Sequence, residues 1–187
     1  MKVLSISVFL ALFVCASAAQ ASTFDFHNLG TGLGFSKSIT VDDLTISLQT
    51  SNGALTSSAA TFGIDAASAS DDPSLLDGAG GTADRLSFIF NKNAIVDSIT
   101  ISLLDGADAG TVTVKGNSTL NLSDGVNTIN QPASFTSANF ITYTGPLTAG
   151  AANGFSIDSI SAHTVPEPAS LALLAPLVLL HARRRRN

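Results

Sequence analysis

The sequence has one cysteine, one tyrosine and no tryptophan among its 187 residues. Because Cys15 lies in a stretch that we expect to be removed as a leader, the mature chain would have neither a disulfide nor a thiol nucleophile. Its stability would then depend on burial, on hydrogen bonds or on bound ions. The shortage of Trp and Tyr also leaves few of the amphipathic rings on which a sugar-binding surface commonly depends.

Glutamate is absent and basic residues are scarce between residues 22 and 165. This stretch has 13 Asp against four basic residues, Lys37, Arg85, Lys92 and Lys115, and therefore a formal charge of −9. Such a balance argues against a nucleic-acid partner, because the neutralisation of phosphates requires clustered Lys and Arg. Asp without Glu is typical of turns and of oxygen-rich cation sites, whereas helical surfaces use Glu and Lys. Composition therefore favours a domain rich in strands and turns.

Apolar residues alternate with polar residues in many short runs, which is typical of half-buried strands. The runs are Ile39 with Val41; Leu44, Ile46 and Leu48; Leu86, Phe88 and Phe90; Ile99, Ile101 and Leu103; Val112 with Val114; Leu120 with Leu122; and Phe155, Ile157 and Ile160. Turn pairs such as Asn52-Gly53 separate them, and Asp42-Asp43 predicts a bulge or a tight hairpin. The pattern predicts an all-β domain over residues 22–164, an antiparallel sandwich or barrel. We expect a β-sandwich of eight to ten strands in two sheets.

The N-terminus is typical of a secretory signal peptide. Lys2 is followed by the apolar stretch Val3 to Val14, and Ala19 and Ala21 fit the small-x-small pattern of a cleavage site. We therefore expect a signal helix within residues 1–21 and cleavage after Ala21, with cleavage after Ala19 as the alternative. The mature protein would then be exported across the inner membrane.

The C-terminus combines a short apolar segment with a cluster of arginines. The 14 residues from Ala169 to Ala182 would span only about 21 Å as a helix, against about 30 Å for the hydrocarbon core of a bilayer. Pro176 weakens such a helix further. Arginines stay on the cytoplasmic side of a membrane, so we expect the domain upstream to lie on the outer face. The segment therefore suits a transient attachment to the inner membrane better than a permanent anchor.

The end of the chain contains three features in a fixed order, a Pro-Glu-Pro tripeptide, the apolar segment and a cluster of four arginines. The residues of the tripeptide and the cluster are Pro166, Glu167, Pro168, Arg183, Arg184, Arg185 and Arg186. In this order, residues 165–187 resemble the PEP-CTERM sorting signal of Gram-negative bacteria that make extracellular polymeric substance. The resemblance implies that exosortase, a membrane protease-transpeptidase, recognises the Pro-Glu-Pro tripeptide. It also implies a precursor tethered to the membrane and then transferred to the cell surface or to the extracellular matrix of a biofilm.

A segment of the body, Thr61 to Phe90, is similar to one found in PEP-CTERM proteins with a jelly-roll-like domain. The similarity lies in Phe62-Gly63-Ile64-Asp65, in Leu76-Asp77, and in Asp84 ahead of an apolar strand. It implies that the β-sandwich is of the jelly-roll type.

Five carboxylates of this segment are candidate calcium ligands. They are Asp65, Asp71, Asp72, Asp77 and Asp84. Calcium is coordinated by six to eight oxygens, which these side chains and the loop carbonyls could supply if the loop folds back over the edge of the sheet. The alternative is that the aspartates form turns in solvent. The sequence leaves both interpretations open, and calcium is the one cofactor that it suggests.

Few residues are available for catalysis. His27 and His163 are the only histidines before the tail, and no serine lies in a Gly-x-Ser-x-Gly context. The two histidines also lack the paired spacing of a zinc site. We therefore expect that the protein is not an enzyme, and the remaining alternative is a glycoside hydrolase that uses two aspartates.

These patterns together predict an exported structural or adhesive protein of the cell surface or extracellular matrix. Exosortase is the expected processing partner, and extracellular polysaccharide is a second candidate partner. The alternative function is a lectin-like, carbohydrate-binding module, with or without a dependence on calcium.

Overall fold

Alternating apolar and polar residues form short strands that pair antiparallel. A computed structural model describes residues 20–30, 32–66, 72–78, 81–106, 108–114, 119–134, 136–147 and 154–165. These ranges contain twelve β-strands and no α-helix. The prediction of an all-β, antiparallel fold is therefore confirmed. The predicted signal helix and the predicted C-terminal hydrophobic helix lie outside the described residues.

The strands follow one another through the whole described chain. In chain order they are β1 Ser22–Asp25, β2 Ser36–Val41, β3 Leu44–Thr50, β4 Ala54–Ser57, β5 Phe62–Asp65, β6 Arg85–Phe90, β7 Ala94–Ser102, β8 Gly110–Thr113, β9 Thr119–Asn121, β10 Gly125–Ala133, β11 Asn139–Tyr143 and β12 Ser156–Thr164. They form a six-stranded, a four-stranded and a two-stranded sheet.

The six-stranded sheet has the strand order β2-β3-β6-β11-β8-β9. On β6 every second side chain is buried, namely Leu86, Phe88 and Phe90. The same alternation on β3 buries Leu44, Ile46 and Leu48. Because successive side chains of a strand point to opposite faces, this alternation gives the sheet one apolar face and one polar face. The polar face belongs to the candidate site described below.

The four-stranded sheet has the strand order β1-β12-β7-β10. Its central strands, β7 and β12, are nine residues long, and their pairing is shifted at Asp158 and again between Ser161 and Ala162. The edge strand β10 contains Pro132, which lacks an N–H and is therefore suited to the edge of a sheet.

The two-stranded sheet, β4 with β5, lies beside the segment that contains the candidate calcium ligands. Ile64 donates its N–H to the carbonyl oxygen of Leu75 across 3.0 Å. A side chain at Gly63 would overlap the backbone of Ser74 and Leu75, so only glycine allows this close approach. The glycine of β5 thereby fixes the position of the segment after it.

One hydrophobic cluster contains buried residues from both large sheets. The rings of Phe24 on β1 and Phe90 on β6 lie 6.0 Å apart between centroids, and Phe90 also meets Phe88 edge to face at 5.9 Å. Phe26 and Phe62 extend the cluster to β5 at 5.2 Å. Aromatic pairs at these distances are favourable beyond the area that they bury. The two large sheets therefore share a core.

Two details of the strands differ from the predictions, and a third decides between the bulge and the hairpin predicted at Asp42-Asp43. The described residues contain twelve strands, so the expected eight to ten is too few. Leu103, expected to extend the run after Ile101, follows the end of β7, has a positive φ of 66° and is 54% exposed. At Asp42-Asp43, the pairing of Val41 with Leu44 shows a tight two-residue hairpin, in which Asp42 has a φ of 54°. Asp tolerates this left-handed conformation better than most residues.

Ala21 to Val165 form one compact unit. The described residues include no helix that is both long enough and apolar enough to span a bilayer.

Candidate functional site

The acidic loop, residues 72–78 and 81–84 of the described chain, brings two of the predicted ligands together inside the protein. Asp77 and Asp84 are each only 1% exposed. The Asp84 carboxylate accepts one hydrogen bond from the Asn52 side-chain amide at 2.6 Å and another from the Asp77 N–H at 3.2 Å. Asp84 in turn donates its N–H to the carbonyl oxygen of Asp77 at 2.7 Å. Buried carboxylates require such donors, because an unpaired buried charge is costly.

The other predicted ligands lie at more exposed positions. Asp72 is half-buried, and its carboxylate accepts hydrogen bonds from both the N–H and the hydroxyl of Ser74, at 3.0 and 2.6 Å. Its own N–H donates to the Asp77 carboxylate at 3.0 Å. Asp65 is exposed at the end of β5. Asp71 lies outside the described residues.

The carboxylates of Asp72, Asp77 and Asp84 accept hydrogen bonds from amides and a hydroxyl nearby, an arrangement that orders a turn. In the described part of the chain, no three His, Cys, Asp or Glu side chains are grouped so that they could hold a metal ion. Calcium binding therefore stays a prediction.

Tyr143 is a member of this region that the sequence pattern did not indicate. It is 1% exposed, and its hydroxyl lies 3.3 Å from a carboxylate oxygen of Asp108, to which it donates. Burial raises the pKa of Tyr143 to about 12, and the negative charges of Asp108 and Asp77 act in the same direction. Its ring lies so close to Gly78 that a Cβ there would be 2.9 Å from the ring edge. Only the fold brings these residues from distant parts of the sequence together.

Of the two histidines that the structure describes, His163 lies on β12 and His27 follows the end of β1, and each lies beside a carboxylate. His163 Nδ1 is 2.8 Å from Asp97 Oδ1. His27 Nδ1 is 3.0 Å from Asp25 Oδ1, and its Nε2 is 3.4 Å from Asp158 Oδ1 without forming a hydrogen bond.

The neighbourhood of His27 contains a serine, but not in the order of a catalytic triad. Ser102 donates its hydroxyl to Asp158 at 2.7 Å, so the carboxylate lies between the serine and His27. In a triad the histidine lies between the serine and the carboxylate, because it must take the serine proton. This cluster therefore joins β12 to β7 and does not activate Ser102.

The outward side of the six-stranded sheet is a broad polar surface, which we call the hydroxyl face. Its residues are Ser36, Ser38, Thr40, Thr45, Ser47, Gln49, Arg85, Ser87, Ile89, Thr111, Thr113, Thr119, Asn121, Phe140 and Thr142. One row of it crosses all six strands, because Ser36, Gln49, Ser87, Phe140, Thr113 and Thr119 are successive register partners. At about 4.8 Å between strands, the row is about 24 Å long.

Arg85 is the first residue of β6 and lies in the same row of the hydroxyl face as Thr142 and Thr111. Its guanidinium carbon is 3.6 Å from the centroid of the Phe140 ring, a cation–π contact between β6 and β11. The ion pairs among the described residues involve His27, Lys92 and His163, and Arg85 takes part in none of them.

The processing sites predicted from the sequence lie at or beyond the ends of the described chain. Ala21 is exposed and directly precedes β1, whereas Ala19 lies outside the described residues. Also outside them lie Pro166, Glu167, Pro168 and the four terminal arginines.

Searches against protein-family models, curated proteins and solved structures found no match for this chain.

Proposed function

We propose that the protein is an exported structural or adhesive component of the cell surface or extracellular matrix, delivered by a PEP-CTERM signal that exosortase processes. The observation that carries the proposal is the order of Pro166-Glu167-Pro168, a short apolar segment and the arginines from Arg183 to Arg186. The signal-peptide pattern at the other end of the chain supports it independently. The proposed path is export, transient attachment to the inner membrane, and release or transfer outward.

The body is proposed to be a β-sandwich of the jelly-roll type. Support comes from two large antiparallel sheets whose buried residues belong to one cluster, with Phe24 of one sheet against Phe90 of the other. Each large sheet also has a polar outward side, as the layers of a sandwich do.

A non-catalytic role is proposed for this body. The order of Ser102, Asp158 and His27 supports it, because the Ser102 hydroxyl donates its hydrogen bond to the Asp158 carboxylate, which lies between the hydroxyl and the His27 imidazole. Persistence outside the cell would depend on the buried core, since residues 22–165 contain no cysteine.

Carbohydrate binding is the second candidate function, and the hydroxyl face is the observation that favours it. Hydroxyl and amide side chains can both donate and accept hydrogen bonds, as the hydroxyls of sugars do. This second function is compatible with the first, because a matrix component that binds polysaccharide is an adhesive one.

The sorting proposal is tested by changing the tail in the native host. We expect deletion of Leu171–Asn187, or replacement of Pro166, Glu167 and Pro168 by alanine, to stop transfer, so that the protein no longer reaches the surface or matrix fraction. Replacement of Val165 by alanine, just before the tripeptide, is the matched control and is expected to be sorted normally. Unchanged processing and location of the deletion variant would refute the proposal.

A further inference from the structure

Charge is distributed unevenly between the hydroxyl face and the rest of the domain. Residues 22–165 contain 13 Asp, yet none of the 15 described residues of the hydroxyl face is acidic. Arg85, which lies on that face, is the only arginine in the same stretch. An anionic ligand would therefore meet one cation and no carboxylate on this surface, whereas repulsion from the aspartates would oppose it elsewhere.

The position of Arg85 suits the binding of a carboxylate. Phe140 covers one side of the guanidinium at 3.6 Å, and Arg85 takes part in none of the ion pairs of the described residues, so its N–H groups can bond to a ligand. A planar guanidinium of this kind donates two parallel hydrogen bonds to a carboxylate. The stacking also limits the conformations of Arg85 before binding, so less entropy is lost when a ligand is bound.

Several hydroxyls of the hydroxyl face lie in pairs that keep hydrogen-bonding capacity. Ser38 and Ser47 lie 2.9 Å apart, Thr40 and Thr45 also 2.9 Å, and Thr113 and Thr119 2.8 Å. Two hydroxyls that bond to one another use one donor and one acceptor site, and retain one donor and several lone pairs. Each pair can therefore both donate to and accept from the hydroxyl groups of a sugar ring.

We propose that the hydroxyl face binds an acidic polysaccharide, one whose sugar rings carry carboxylates. A ring carboxylate would pair with the guanidinium of Arg85, and the adjacent Thr142 and Thr111, its neighbours across β11 and β8, would bond to ring hydroxyls. The row of about 24 Å is long enough for several rings of one chain to lie across the strands. This inference rests on the proposed adhesive function, to which it adds the chemical class of the ligand.

The test uses residues 21–165, which contain every described residue of the hydrophobic core. Binding to polygalacturonic acid is measured in the presence of a chelator, and the fully methyl-esterified polymer serves as the uncharged control. We expect the acid polymer to bind, the esterified one to bind much more weakly, and affinity to fall as salt is raised. General attraction cannot account for such binding, because the formal charge of this stretch is −9.

Variants separate the role of Arg85 from that of net charge. We expect Arg85→Gln to weaken binding about tenfold or more, since a charge-assisted bidentate pair is lost. Lys92→Gln removes a cation that is paired with Asp43 off the face, and should bind as the wild type does. Thr142→Val, which keeps the shape of the side chain and its strand preference, should weaken binding by a smaller factor. Equal melting temperatures show that each variant is folded.

Several outcomes would overturn the inference. They are equal binding of the acid and esterified polymers, unchanged affinity of Arg85→Gln, and failure of the folded domain to bind either polymer. None of these binding results tests the sorting proposal, which is tested by the location of the tail variants in cells. Normal sorting with no acid-dependent binding would refute this inference alone, and acid-dependent binding with tail-independent location would refute the sorting proposal alone.

Discussion

Tyr143 connects the six-stranded sheet to the acidic loop. Its ring packs against Gly78, its hydroxyl donates to Asp108, and its N–H donates to the carbonyl oxygen of Asp84 at 3.0 Å. A phenol in this position is buried among negative charges, so its neutral form is favoured in the folded protein. The stability of the domain therefore depends on the protonation of one side chain at alkaline pH.

The raised pKa of Tyr143 predicts how the stability of the domain changes with pH. The pKa of Tyr143 is about 12 in the folded protein against 10.0 as its ordinary value, so its contribution is fully present below pH 10 and is lost as the pH rises toward 12. We expect the free energy of unfolding to fall by about 2 kcal/mol over this interval because of Tyr143.

The ionisation of Tyr143 can be measured directly, because the chain has only one tyrosine. The tyrosinate absorbance reports the ionisation of Tyr143 alone, and it should titrate near pH 12 in the folded protein and near pH 10 in urea. Urea unfolding of Tyr143→Phe, compared with the wild type at both pH values, isolates the effect from that of the lysines. Titration near pH 10 in the folded protein would contradict the placement of this ring.

At the scale of elements, strands with strict alternation were predictable from the sequence. β3 and β6 occur where Leu44, Ile46 and Leu48, and Leu86, Phe88 and Phe90, alternate with polar residues. β10 escaped prediction because a register shift between Thr128 and Gln131 breaks its period. β11 escaped because its first residue, Asn139, is polar yet fully buried, with its amide donating to the carbonyl oxygen of Phe88. Tertiary hydrogen bonds of this kind are not visible in a one-dimensional pattern.

The candidate sites also have features that the sequence predicted and features that it did not. The sequence grouped the aspartates of the acidic loop, but which of them are buried depends on Asn52 and Tyr143, which are distant in the sequence. The hydroxyl face depends on the register of six strands, and a shift of one residue would turn each hydroxyl inward. Local composition could therefore indicate an acidic loop, whereas it could not indicate a surface assembled from strands that are far apart in the chain.

The acidic loop gives a prediction that separates its two interpretations. We expect Asp84→Asn to destabilise the domain by about 1–3 kcal/mol in the presence of a chelator. Both carboxylate oxygens of Asp84 accept hydrogen bonds, and an Asn side chain has one acceptor and turns its NH₂ group toward the second donor. Asp105→Asn, at an exposed position, is the matched control and should change stability little.

Thermal melting of the wild type and of Asp84→Asn in the presence of calcium distinguishes the two interpretations of the acidic loop. If the aspartates form turns, the loss caused by Asp84→Asn should be the same with calcium as with the chelator, and this is the result that the amide contacts favour. A calcium-dependent rise in the melting temperature of the wild type, absent from Asp84→Asn, would instead support the ion site, because a ligand bound only to the folded state stabilises it.

At the scale of the whole molecule, the shared core predicts that the two large sheets unfold together. Phe24 and Phe90 lie on different sheets, and both are buried. If the sheets form one cooperative unit, thermal and urea unfolding of residues 21–165 should each show a single transition, with the same midpoint by backbone and side-chain probes.

A double-mutant cycle tests the contact itself, since the Phe24 and Phe90 rings lie 6.0 Å apart. We expect Phe24→Leu and Phe90→Leu to be coupled by about 0.5–1.5 kcal/mol, the usual range for an aromatic pair at this distance. Leucine is chosen over alanine so that the double variant remains folded. The control cycle pairs Phe24→Leu with Phe155→Leu, whose rings are not in contact among the described residues, and should be additive within about 0.5 kcal/mol. Additivity in the first cycle would contradict the contact between the two rings. Two separate transitions in the wild type would mean that each sheet is stable without the other, and the proposed sandwich would then have no common core.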